Sequence, residues 1–98
     1  VPAKADGEWQ WEMNGTEYRA VIEQSFQHLN GDLIASGVRV PLQYGVVKGD
    51  AVSFETRARD TNGQTQTMLF EGTISGNTMD GVVVIDGKST DVTARRAN

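Results

Sequence analysis

A chain of 98 residues has room for one domain with a thin core, because small folds bury a smaller share of their surface; most multi-domain enzymes are thereby excluded. Nine Lys and Arg against 13 Asp and Glu leave a formal charge of −4 at pH 7, so the broad positive field that attracts nucleic acid or anionic lipid is missing. Zero cysteines exclude a disulfide framework, thiol chemistry and Cys-based zinc sites. No apolar run approaches the ~18–20 residues of a membrane span. Neither nucleic acid nor membrane is expected as a partner, and a soluble, cytoplasmic protein is.

Val, Ile and Thr number 24 against 12 for Ala plus Leu, a composition suited to pleated, half-buried surfaces. In chain order, residues 1–6 read as a short linker and residues 7–98 as the single domain. The first strand, around Trp9 to Met13, ends at Asn14-Gly15, the strongest two-residue hairpin signal, which outranks the glycosylation sequon Asn14-Gly15-Thr16. Over residues 16–31, Tyr18, Val21, Ile22, Phe26 and Leu29 follow helical spacing, with Thr16 as N-cap and Gly31 as stop. A strand there would place Tyr18, Ala20, Ile22 and Phe26 inward, interrupted by Gln24. The strand is preferred because the edge of the first strand needs a partner. Further turn signals fall at Asn30-Gly31-Asp32, Lys48-Gly49-Asp50, Asn62-Gly63, Ser75-Gly76-Asn77 and Asp86-Gly87. Six turns imply about seven strands, and a break near Gly37 or Pro41 makes about eight.

Between the turns, polarity alternates with period two, as a sheet with one buried face requires. Val52, Phe54 and Ala58 share a face opposite Ser53, Glu55, Arg57 and Arg59. Met68, Phe70 and Ile74 align, with Gln66 near the open end, as do Met79, Gly81, Val83 and Ile85, and Val92, Ala94 and Arg96. Gly72 and Gly81 inside strands mark a bend or a close approach. The polar-Gly-Asp/Asn turns centred on Gly31, Gly49 and Gly76 lie 18 and then 27 residues apart, a spacing too irregular for a solenoid. The expected fold is all-β: an antiparallel up-and-down meander closing into a small barrel of about eight strands. A seven-stranded sandwich is the rival.

Reactive constellations are scarce. Triads and metal sites need histidine or cysteine, and the single candidate is His28, read as an exposed loop residue. None of the five serines sits in a Gly-x-Ser-x-Gly elbow. Asp32, Asp50, Asp60 and Asp86 fall in turns, where aspartate bonds the local backbone. No dinucleotide or P-loop glycine pattern occurs. Arg57/Arg59 and Arg95/Arg96 read as mixed-charge surface. No catalytic, cofactor-binding or metal-ligating residue is assigned.

Gly7-Glu8-Trp9 on the first strand, with Arg95-Arg96 closing the last, resembles the calycin pattern of lipocalins and their small relatives, in which a Gly-x-Trp is covered by an arginine from the final strand. The resemblance implies a structural pair, Trp9 under Arg96. Beyond this, four segments resemble a family of small bacterial β-domains appended to the C-terminus of class I S-adenosylmethionine-dependent methyltransferases. They are Gly-x-Trp-x-Trp from Gly7, residues 46–54 (VVKGDAVSF), residues 70–81 (FEGTISGNTMDG) and Thr93-Ala94-Arg95-Arg96. That likeness implies a noncatalytic accessory domain that stabilises the enzyme or aids substrate recruitment. Its partner would be an upstream catalytic domain of the same chain; S-adenosylmethionine would belong to that parent, with no cofactor held here. The absence of an initiator methionine and the linker-like residues 1–6 agree with a fragment. The alternative is a stand-alone carrier of a small apolar ligand, with Phe54, Met68, Phe70, Met79 and Val83 lining its pocket, although so much bulk in a short chain favours a filled interior.

Overall fold

The period-two alternation becomes nine antiparallel strands in the computed structural model, which describes residues 1–97; residue 98, where the expected domain ends, lies outside the described residues. The strands are β1 (Gly7–Met13), β2 (Thr16–Ser25), β3 (His28–Ala35), β4 (Val38–Pro41), β5 (Gln43–Lys48), β6 (Ala51–Arg59), β7 (Thr65–Ser75), β8 (Thr78–Ile85) and β9 (Lys88–Ala97). Hydrogen-bonded neighbours run β1-β2-β3-β5-β6-β7-β8-β9, and β9 returns to β1 through Glu8–Gln10 against Arg95–Ala97. The ring therefore contains eight strands and is closed, with β4 as the extra one. Closure removes the free sheet edges that would otherwise template aggregation.

The extra strand has a local cause. β3 pairs with β5 at His28 and Leu29, then with β4 from Asp32 to Ala35, so β4 and β5 are one interrupted strand with Leu42 at the break. Pro41 has no N–H for the ladder, and the register of β5 against β6 shifts between Gln43 and Val46. The extra residue is accommodated at Tyr44, whose φ of 56° turns its ring out to solvent, where Arg57 lies 5.8 Å above it.

Residues 16–31 form strand, not helix: Ala20 and Ile22 are buried and Tyr18 is half-buried, as the strand reading required. Three details differ from expectation. Phe26 is not inward: Ser25 pairs with His28, which makes Phe26-Gln27 the hairpin turn, and the phenyl ring is 88% exposed at a φ of 54°. Asn30-Gly31-Asp32 is not a turn but lies within β3. Gly31, at φ 145°, is there because a Cβ would stand 1.9 Å from the Val21 carbonyl oxygen, so the same glycine that signals a turn here serves close backbone approach. Asp32 accordingly pairs across to Arg39 at 2.7 Å, and His28 opens β3 rather than sitting in a loop. Of the other turn aspartates, Asp60 accepts from the backbone N–H groups of Asn62 and Gln64, both at 2.9 Å.

Inward side chains fill the ring. Phe54 stacks on Phe70 (centroids 4.9 Å apart), Phe70 meets Trp11 (5.1 Å), and Trp11 stacks on Tyr18 (5.7 Å), a ladder crossing the interior from β6 to β2. Such pairs contribute ~0.5–1.5 kcal/mol each beyond their buried area. Gly72 faces Gly81 across β7 and β8, and added Cβ atoms would meet Phe70 ring carbons at 2.9 and 3.0 Å. The phenyl ring occupies the space that two side chains would need. The ribbon can then bend inward, and the outer surface over it forms a shallow hollow of about 760 Å³.

Candidate functional site

Chain direction sorts the turns onto two ends. Strand ends of β2, β5, β7 and β9 share one end with residues 1–6, while the turns after β1, β3, β6 and β8 frame the other. The two ends differ in what covers them.

At the first end, residues 1–6, expected as a linker, form no strand, yet Ala5 is fully buried and Ala3 packs against the core. Four tethers hold them. Ala3 N–H donates to the Gly49 carbonyl at 2.6 Å, and Trp9 Nε1 donates to the Ala5 carbonyl at 2.9 Å. Gln24, the residue that interrupts the inward face of β2, accepts from Ala5 N–H at 2.7 Å and donates to Ala3 O at 3.1 Å. Arg96 donates through Nη1 to Asp6 O and through Nη2 to Lys4 O at 2.9 Å, with Nε 3.2 Å from Asn77 Oδ1.

The same guanidinium stands 4.3 Å from the centroid of the Trp9 ring, which is 0% exposed. A cation over an indole face contributes ~0.5–2 kcal/mol, and the planar fork bonds the carbonyls while it stacks. Gly7 completes the arrangement: its φ is 118°, and a Cβ would sit 3.2 Å from Arg96 Nη1. The spacing Gly-x-Trp thus provides a left-handed entry and clearance for the arginine two residues before the ring it covers. Arg95, its sequence neighbour, points to solvent, so the two arginines make no shared basic patch.

The opposite end is open. A cavity of about 160 Å³ enters between β2, β3, β4, β6 and β7, with Leu33, Val38, Val40, Met68 and Ile85 among its apolar walls. Tyr18, Thr56 and Gln66 supply its polar groups, and Thr56 is the one buried polar side chain among the described residues, at 3% exposure. No carboxylate, ammonium or guanidinium lines it. Beside it lies a second cavity of about 210 Å³, walled by Met13 and Val83 and edged by Asp86 and Lys88; Ile85 borders both. Trp11, one stacking step behind Tyr18, is 3% exposed, and its Nε1 is the one buried side-chain nitrogen or oxygen without a partner among the described residues.

The residues expected to line a pocket divide accordingly. Met68 borders the first cavity and Val83 the second, whereas Phe54, Phe70 and Met79 are packed in the filled interior, each at most 1% exposed. The walls that sequence reading did not assign, Leu33, Val40, Thr56 and Ile85, carried a usable signal. Leu33, Thr56 and Ile85 share inward parity with core residues of their own strands, and Val40 shares it with buried Leu42 just beyond β4; all four lie in the open-end half of the barrel.

Among the described residues, no group of three or more His, Asp or Glu side chains is gathered as a metal ion would need. No helix is long and apolar enough to cross a membrane. Comparison with protein-family models, curated proteins and solved structures finds no match. The expectation of a methyltransferase parent therefore rests on the sequence motifs, and those motifs map onto the closing clasp and the hairpins of β5–β6 and β7–β8.

Proposed function

We propose that this chain is a noncatalytic β-barrel module that works through its open end, holding a small apolar group there. The carrying observation is the contrast between the ends: one is sealed by the chain's own residues 1–6, the other opens into an uncharged cavity of about 160 Å³ with apolar walls and a few polar groups. A concave, apolar site with a few polar groups is what small-molecule recognition uses. Nuclear magnetic resonance titration with toluene should produce saturable methyl shifts at Leu33, Val40 and Met68. Flat titrations at those methyls would overturn the reading.

We further propose, on the strength of the motifs shared with methyltransferase appendages, that the module serves as an accessory domain of an S-adenosylmethionine-dependent methyltransferase, steadying the enzyme or presenting substrate to it. What supports this is that the shared segments build closure and turns, a folding role that leaves chemistry to a separate domain. Intact mass of the polypeptide from its source tests the attachment: a native chain ending near 10.7 kDa sinks it. That outcome would favour the stand-alone carrier, which the same cavity supports.

A further inference from the structure

We infer that Ile85 is a partition that divides the open end into two compartments, one without ionic side chains and one edged by Asp86 and Lys88, and that the first compartment takes an uncharged ligand of single-ring or short branched size. The inference rests on the reading of the open end as a binding face and adds ligand class and a specificity-determining residue to it. The geometry is as follows: Ile85 closes β8, pairs with Met68 on β7 and Lys88 on β9, and is the residue common to both cavities.

On the Met68 side the walls offer a phenol, a hydroxyl and an amide but no ionic side chain, so a charged group entering there would lose water without gaining a counterion. On the Lys88 side both Asp86 and Lys88 stand at the rim, and polar or charged groups keep partners. Size follows from volume. The first compartment measures about 160 Å³, close to the ~150 Å³ at which an apolar protein cavity accepts benzene. The aromatic ladder behind Tyr18 is close-packed, so a fatty-acid chain has no depth to enter. A two-ring ligand needs the space that the Ile85 side chain occupies.

The test compares the whole chain with Ile85→Ala and Ile85→Val against toluene, naphthalene and benzoate, read by calorimetry and methyl resonances. For the unsubstituted chain, toluene should bind saturably, with benzoate and naphthalene at least tenfold weaker. Ile85→Ala should tighten naphthalene at least tenfold, and Ile85→Val should fall between. Absence of toluene binding overturns both the functional reading and this inference. Toluene binding with an unchanged naphthalene-to-toluene ratio in a folded Ile85→Ala overturns the partition alone. Should Ile85→Ala fail to fold, nuclear Overhauser contacts in the unsubstituted chain decide: toluene touching Leu33 and Met68 but not Met13 supports the partition, and contact with Met13 or Val83 overturns it.

Discussion

The two ends of this barrel are made from hairpins of the same kind, yet they treat their polar groups in opposite ways. At the sealed end, carbonyls of Ala3, Lys4, Ala5 and Asp6 all accept bonds from Gln24, Trp9 or Arg96, so a segment without secondary structure is fixed mainly by side chains, with one backbone bond from Ala3 to Gly49. At the open end, Tyr18, Thr56 and Gln66 face a cavity, and half-exposed Val38 remains at the rim. The sealed end spends its polar groups on the chain itself, whereas the open end leaves polar groups turned toward a cavity.

That contrast can be tested by substitution, beginning with the greatest expected loss. Trp9→Ala removes a fully buried indole and the surface on which Arg96 rests, and should cost ~3–5 kcal/mol in urea unfolding, enough to unfold many domains of this size. Arg96→Ala should cost about 2–3 kcal/mol by losing both the stacking and the carbonyl bonds, while Arg96→Lys should recover only part because an ammonium lacks the fork. Full recovery by Arg96→Lys would show that shape matters less than charge. Gln24→Ala should cost ~1–2 kcal/mol and raise hydrogen exchange at the Ala5 amide without altering β7 or β8. Val38→Ser, at the open rim, should shift stability by no more than about 0.5 kcal/mol. If Val38→Ser proved as costly as Gln24→Ala, the division of labour between the ends would be wrong.

Much of the fold was legible in the sequence because sheet parity is a strict code. Val52 with Phe54, Met68 with Phe70, and Met79 with Val83 are buried on one face each, and turns at Asn14-Gly15 and Asp86-Gly87 adopt the positive φ values that their residues tolerate. Failures came where one residue type serves two purposes. Asn30-Gly31 reads as a hairpin, but Gly31 is needed for its lack of a Cβ against Val21; the actual turn falls on Phe26-Gln27, two residues with no turn signature. A phenylalanine at positive φ is a tertiary outcome: register between β2 and β3, fixed by Ala20 and Ile22 facing inward, decides which two residues must reverse the chain. The clasp was legible as a motif, but its dependence on residues 1–6 was not, since carbonyl acceptors leave no mark in a sequence. Ile85 shows parity without showing that it separates two spaces.

Arg96 reaches partners 90 and 92 positions earlier in the chain, at Asp6 and Lys4. During synthesis, every hairpin from β1 to β8 can form before the Arg96 side chain leaves the ribosome, but the ring cannot lock until it does. Loop-closure entropy across nearly the whole barrel is met in that one step, so closure belongs late in folding, and nascent chains halted before β9 would expose two unsatisfied strand edges to aggregation or to a chaperone.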